Sequence, residues 1–416
     1  MQSKNNQLHV LIIVNRLHEW SQNFITRELT ELNEQGVRMH IATRKIVQRT
    51  DLTEREKKLL PLAVLLPENP FLPKFWMKIV KTKLRYTGGY LRAWRALFSL
   101  KHKPSKFFRS VVCLFRAAVV ADWAVSQKIN LIHAHFLTAP GDTALYLSKI
   151  TGIPYGGTAH AMDIYTDNSG LVGKIANAAY LSTCTAANEQ YLKTLPGVHP
   201  QKIRKLYHGI EIRPEEPSPE NHRPFTFIAV GRMVEKKGFK FLIEACSFLK
   251  KQGLDFQLNF IGNGPLEEEL KAQAQSLGLA DRLHFKGMFP PNSMGEQYRQ
   301  ADVLVMPSIV DPSGDRDGLP NVCLEAMNHG LPIVGSNVSG IPEGVVHGEN
   351  GWLVPPGDSV KLAEAMAEAV QHNNLFEMKK AARRMAIENF SLKNNIRALR
   401  RLMESTAPSQ QPTANS

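Results

Sequence analysis

A chain of 416 residues is too long for one ordinary core and fits two domains. Its 43% hydrophobic and 21% charged residues exclude a disordered chain, and four isolated cysteines at 113, 184, 246 and 323 exclude a disulfide framework or a cysteine metal cluster. The net charge of +13 is gathered in one segment, which directs attention to an anionic partner for that segment rather than for the whole surface.

The chain opens on the apolar run His9–Val14, too short and wrongly flanked for a signal segment, and no stretch reaches the ~18 apolar residues of a spanning helix. With its isolated cysteines this reads as a cytoplasmic protein. His9–Asn15 is expected as the first strand, followed by a loop and a helix over Asn23–Gln35. Ile25, Leu29 and Leu32 give that helix an apolar stripe and Gly36 stops it. Arg38–Thr43 is the next expected strand. Residues 50–125 break the alternation and read as an inserted, mostly helical region. Between Asn69 and Ala121 stand twelve Lys or Arg and no Asp or Glu, interleaved with Phe71, Phe75, Trp76, Tyr86, Tyr90, Trp94, Phe98, Phe107, Phe108 and Phe115. Basic residues among aromatics suit an anionic membrane surface, where each adds about 1 kcal/mol. A solvated helical face and a nucleic-acid surface are the other readings, and nucleic acid is not expected.

Strands resume at Asn130–His135, Pro154–His160 and Leu181–Thr185. Glu211–Pro224, rich in Pro and Glu, is expected as a linker. A second α/β series follows, with strands at Phe225–Val230, Phe256–Ile261, Leu283–Lys286, Val303–Met306 and Pro332–Gly335. The class is therefore doubly wound α/β in two Rossmann-like halves. In such folds ligands bind outside the carboxyl ends of strands.

Two strand exits carry chemistry. Gly314–Pro320 opens a helix beginning near Asn321, which aims backbone N–H groups and the positive helix end outward, an arrangement suited to a diphosphate. Asp317 and Glu325, eight apart, can reach one ligand from the same side; spacing alone leaves a capped helix start with two solvated acids equally open. Gly231–Gly238 (GRMVEKKG) leaves its strand through Gly231 and brings Arg232 and Lys237 across one turn, where two cations can neutralise a leaving diphosphate. An ordinary surface Lys-Lys-Gly turn is the plain alternative.

The order GRMVEKKG, IGNGPLEEEL, FKGMFPPNSM, ADVLVMPS, DGLPNVCLEAMNHGLPIV and SGIPEGVVHGENGWLVPPGD, from about Phe225 to Val370, resembles the retaining glycosyltransferases of family 4. The first loop, Asn15–Ile25, with His133–Phe136 and Gly157–Asp163, resembles the exopolysaccharide and colanic-acid branch more loosely. The resemblance implies the GT-B fold, two Rossmann-like domains facing each other across a cleft. The domains are expected at 1–210, with the basic insertion at about 70–120, and at 225–385. Between them lies the linker 211–224. A C-terminal helix at 386–405 is expected to pack back on the N-terminal domain, and 406–416 is expected as a disordered tail.

The resemblance further implies that Arg232 and Lys237 hold the donor diphosphate and that Glu325 meets the nucleotide ribose. Asp317, where the family has Glu, falls at the position that meets the transferred sugar. Gly231, Gly318, Leu319, Pro320 and Asn321 line the donor, and His160 lies near the reacting sugar and acceptor. His18, His133 and His135 are expected to be structural, because no carboxylate partner stands at a useful spacing for a metal. Asp315-Arg316-Asp317 mimics a metal-binding Asp-x-Asp, but its place before GLPNV argues against one. The implied function is sugar transfer, with retention, from a UDP- or GDP-sugar to a saccharide or lipid-linked saccharide acceptor, on the inner face of the membrane, with no cofactor. A sugar-nucleotide epimerase and a non-catalytic membrane-docked nucleotide-binding scaffold are the rival readings. The base pocket is expected near Gly262–Gly264 and Gly287–Phe289.

Overall fold

A computed structural model describes residues 7–66 and 73–408. Phe71 of the basic aromatic segment and residues 409–416 of the expected tail lie outside the described residues. The chain forms two compact units, Met1–Leu206 with Lys393–Ser416, and Tyr207–Leu392.

The first unit is built on a seven-stranded sheet. Its strands are β1 (His9–Leu17), β2 (Arg38–Ile46), β3 (Ala63–Leu65), β4 (Leu131–His135), β5 (Tyr155–Ala159), β6 (Tyr180–Thr183) and β7 (Ile203–Lys205), in the order β3-β2-β1-β4-β5-β6-β7. Every pairing is parallel. Strands covered on both faces need no polar alternation, which is why β4 and β5 are buried at every position. The helices are α1 (Asn23–Glu34), α2 (Glu54–Lys57), α3 (Pro73–Arg85), α4 (Thr87–Ser99), α5 (Pro104–Ser126), α6 (Ala139–Thr151), α7 (Leu171–Asn177) and α8 (Ala186–Thr194). Gly36, at φ 76°, ends α1 in the left-handed conformation that glycine adopts without a Cβ clash.

The expected insertion needs correction. Part of it, β3, pairs with β2 at the sheet edge. Its last helix, α5, buries Cys113, Leu114, Ala117, Ala118, Ala121 and Ala124 in the main core of the unit. Most of the basic residues mask this role, because they sit on the exposed faces of helices whose inner faces are apolar; Arg116 of α5 is itself buried.

The second unit carries a six-stranded parallel sheet, β10-β9-β8-β11-β12-β13. The strands are β8 (Phe225–Val230), β9 (Phe256–Ile261), β10 (Leu283–Phe285), β11 (Val303–Met306), β12 (Ile333–Ser336) and β13 (Gly351–Val354). The helices of this unit are α9 (Phe239–Lys251), α10 (Glu267–Ser276), α11 (Met294–Arg299), α12 (Asn321–Asn328), α13 (Ser359–Gln371) and α14 (Leu375–Asn389). A last helix, α15 (Leu392–Thr406), lies with the first unit from Lys393 onward.

The expected linker is no free tether. Glu211–Pro224 lies within the second unit, and buried polar side chains hold its backbone. Asp302 accepts the amides of His222 (3.0 Å) and Thr226 (2.9 Å), Asn328 donates to the Glu211 carbonyl (2.9 Å), and Lys379 donates to the Glu220 carbonyl (2.8 Å). A segment poor in apolar side chains docks through its main chain instead. The chain passes between units at 206/207 and 392/393. The expected helix at 386–405 is likewise two helices, parted where Phe390 buries itself and Ile210 pairs with both Phe390 and Leu392.

Candidate functional site

The best-defined constellation stands at the carboxyl ends of β8 and β11, in the second unit. Gly231 leaves β8 at φ 152°, and its amide donates to the Ile261 carbonyl (2.9 Å). The Gly262 amide in turn donates to Gly287 (2.8 Å), which laces the exits of β8, β9 and β10 together. Arg232 is exposed on this rim, whereas Met233 beside it is wholly buried and anchors the loop.

A single turn, Glu235–Lys237, then leads to Gly238 at φ 64°. A Cβ at Gly238 would stand 2.0 Å from the Pro307 carbonyl oxygen, so only glycine lets the β11 exit press against this turn. The Ile309 amide closes the contact by donating to the Lys236 carbonyl (2.9 Å). Beyond Ile309 the chain folds on Asp311, whose carboxylate accepts the amides of Ser313 (2.8 Å) and Asp315 (3.0 Å).

These two loops bring lysines and acids together. Lys237 Nζ lies 2.6 Å from Asp317 Oδ2, and Lys236 Nζ lies 3.1 Å from Asp315 and 3.4 Å from Asp317 Oδ1. The Lys237 and Asp317 side chains are only 11% and 16% exposed. Burial by itself would raise the Asp317 carboxyl, but Lys237 and Lys236 outweigh it and hold the group below its ordinary value.

Gly318–Pro320 then leads into α12. Leu319 and Cys323 are buried among Ile228, Leu304 and Met327, which fixes the start of the helix. Among the described residues no side chain caps α12; the Cys323 amide turns back to the Pro320 carbonyl (2.9 Å), and the Asn321 and Val322 amides stand at the positive helix end. Glu325, one turn further, accepts a hydrogen bond from the buried Tyr298 hydroxyl (2.9 Å).

His160 belongs to the first unit. It follows β5, is nearly buried, and its ring lies 4.2 Å from that of Phe136 and 5.2 Å from that of Phe24. Its amide donates to Asp163 (2.9 Å). Burial pushes the Asp163 carboxyl up to about 7.

Gly231, Lys237 and Asp317 are thus brought together in the second unit. Glu325 and the Gly318–Asn321 backbone follow on the same loop and helix, and Arg232 stands on the rim. Lys236 and Tyr298 escaped the sequence reading. Lys236 had a signal, its place beside Lys237; Tyr298 had none, because only the packing of α11 carries it to Glu325. One expectation needs correction: a carboxylate does lie near the His133/His135 pair, since Glu28 Oε2 is 3.8 Å from His135. It comes from α1, beyond any local spacing. His133 is locked in the sheet by Tyr180 (2.7 Å) and Thr158 (3.2 Å), and burial pushes its imidazole down to about 3.

The family model for glycosyl transferases group 1 matches residues 212–389. A putative colanic acid biosynthesis glycosyltransferase, WcaL of Salmonella typhimurium, is 37% identical over 183 residues, 44% of this chain and 45% of that protein. The amylovoran biosynthesis glycosyltransferase AmsK of Erwinia amylovora is 39% identical over 150 residues, 36% of this chain and 37% of that protein. The chain thus matches less than half the length of these curated relatives. Among solved structures, HepE of Anabaena in complex with UDP matches with a TM-score of 0.70 and 17% identity, over 96% of this chain and all of that one. Two parallel α/β units with this likeness have the GT-B fold, and residues 212–389, less than half of the chain, match the model of the group 1 glycosyl transferases.

Proposed function

We propose that this protein is a glycosyltransferase that moves a sugar, with retention of configuration, from a nucleotide-diphosphate sugar to a saccharide acceptor in exopolysaccharide biosynthesis. The observation that carries the reading is the convergence of Lys237, Lys236 and Asp317 beside the uncapped start of α12. Cations and helix amides at one point suit a leaving diphosphate, where charge develops as the sugar departs. The colanic acid and amylovoran relatives support the pathway class.

In this reading Arg232, Lys237 and the α12 amides stabilise the departing diphosphate. Asp317 turns from Lys237 to the hydroxyls of the transferred sugar, Glu325 accepts from the ribose, and His160 serves the reacting sugar and acceptor. Same-face attack by the acceptor on an oxocarbenium-like sugar accounts for retention without an enzymic nucleophile. Asp315 and Asp317 are both ion-paired with lysines, so the reading assigns no metal between them and no cofactor. UDP, bound in the Anabaena structure, is the first base to test and GDP the second.

The acceptor is proposed to be lipid-linked and the protein peripheral on the inner face of the cytoplasmic membrane. No helix among the described residues is long and apolar enough to cross a membrane. Trp76, Val80 and Leu84 on α3, Leu91 and Phe98 on α4, and Phe108 on α5 are exposed among the basic residues, which suits an anionic lipid surface.

The test is a thermal-shift series with UDP, GDP and their sugar conjugates on wild type and Arg232→Ala, followed by transfer assays with the stabilising donor. Stabilisation by one diphosphate in the wild type alone supports the donor site. No stabilisation by any of them would sink it. Flotation with anionic and neutral vesicles tests the membrane, and equal recovery from both counts against it.

A further inference from the structure

The basic residues of α15 form a second concentration of charge, distant in sequence from the α3–α5 segment. Along this helix Leu392, Ile396, Leu399 and Met403 are buried, at the spacing of one helical face. Lys393, Arg397 and Arg401 lie on the other side and are exposed. Together with Gln35, Arg400 and Glu404 they line a groove of about 420 Å³, within the roughly 300–1,000 Å³ of small-ligand clefts.

The groove has a built wall. Arg400 donates to the Gln35 carbonyl at the end of α1 (2.6 Å) and pairs with Glu404 (2.8 Å), while the Gln35 side-chain Nε2 donates to the Lys393 carbonyl (3.2 Å). One cation is thereby spent on holding α15 to α1. Lys393, Arg397 and Arg401 have no carboxylate in ion-pair reach among the described residues; Arg397 meets only the neutral Asn394 (3.3 Å). Three uncompensated cations around one concavity repel one another, and an anion of high charge density relieves that repulsion. Arginine forks match phosphate oxygens two at a time.

The groove also lies away from the ordinary ligand edge of its unit. α1 runs back from the carboxyl end of β1 to the start of β2, so Gln35 marks the edge where the strands begin. Ligands of open α/β sheets bind at the other edge. This groove therefore stands apart from the proposed donor site and does not depend on it.

We propose that the groove lined by Lys393, Arg397 and Arg401 is a binding site for a phosphate or diphosphate group. The group can belong to a soluble phosphorylated compound or to a lipid headgroup, and the two sources are separable. Pyrophosphate is titrated calorimetrically into wild type, Arg397→Gln/Arg401→Gln, Lys237→Gln, and a charge-matched control, Lys58→Gln/Lys251→Gln. All four altered groove and control positions are exposed, and unchanged thermal midpoints verify folding. The expected result is a class of pyrophosphate sites weakened at least tenfold in the Arg397/Arg401 variant. That class persists in Lys237→Gln, which reports the donor site, and in the control. In parallel, flotation with phosphatidylglycerol in phosphatidylcholine vesicles is compared across the same proteins. Lost flotation in the Arg397/Arg401 variant identifies a headgroup; lost pyrophosphate affinity with unchanged flotation identifies a soluble anion. If the Arg397/Arg401 variant matches the control in both measurements, the groove is not a phosphate site.

Discussion

Replacing Lys237 by Gln tests the candidate site and its physics together. In the folded chain its ammonium lies 2.6 Å from Asp317, with both groups largely out of solvent. Breaking a buried pair by removing one partner costs about 3–5 kcal/mol when the remaining charge has nothing else. Here Lys236 stays 3.4 Å from the same carboxylate, so a smaller loss of roughly 1–3 kcal/mol is expected. The pH dependence has a definite sign. The folded Asp317 carboxyl is held below its ordinary value, so the pair's contribution is fully present above the unfolded value of about 3.9 and is lost as pH falls through the folded value. In Lys237→Gln the folded value rises as burial regains weight, and acid unfolding begins at higher pH. Urea denaturation between neutral and acid pH measures both effects. Binding supplies the functional arm. Losing one preorganised charge at a leaving diphosphate lowers turnover by about 10²–10³, and nucleotide diphosphate should no longer raise the melting temperature. A variant with wild-type stability at neutral pH, an unshifted onset of acid unfolding and undiminished diphosphate binding would refute the reasoning.

Four further outcomes are expected. Gly238→Ala should destabilise the second unit by about 2 kcal/mol or more, since its φ is 64° and the new Cβ would meet the Pro307 carbonyl at 2.0 Å; an unchanged urea midpoint would show that the loops move apart freely. Tyr298→Phe removes the 2.9 Å hydrogen bond that orients Glu325, and should raise the donor KM about 3–10-fold with kcat nearly kept, on the order of a single hydrogen bond; an equal loss in both would point to a wider collapse of α11. His160→Ala should lower transfer at least tenfold while leaving diphosphate binding to the second unit intact, and wild-type transfer would remove His160 from the mechanism. Asp163 has its carboxyl raised to about 7 by burial, so its contribution is complete below the unfolded value of about 3.9 and is lost as pH rises toward 7. Asp163→Asn should flatten that decline, as read by melting temperature against pH.

Much of the fold could be read along the chain. Val10–Val14 is a continuous apolar run, Phe225–Val230 is broken only by Thr226 and Phe256–Ile261 alternates with Gln257 and Asn259, all short β-rich segments, and α1 carries its stripe, its start and its glycine stop locally. Runs and stops of this kind act over a few residues, so local sequence expresses them. The short edge strands β3, β7 and β13 were missed because three or four residues show no period, and only a partner strand makes them strands. The stretch 211–224 looked like a tether for a similar reason. Its composition is polar, and what docks it are the side chains of Asp302, Asn328 and Lys379, far along the chain.

The candidate site divides in the same way. Residue type and order alone marked Gly231, Arg232, Lys237, Asp317, Glu325 and the start of α12, because strand exits, glycines and helix starts are local features with local signatures. Tertiary structure alone decided that Lys237 meets Asp317, that Lys236 joins them, that Tyr298 holds Glu325 and that α15 sets three arginines and a lysine about Gln35. Those are pairings between elements that are distant in sequence. Their energies depend on burial and on distances of a few ångströms, and both come into being only when the sheets and helices pack.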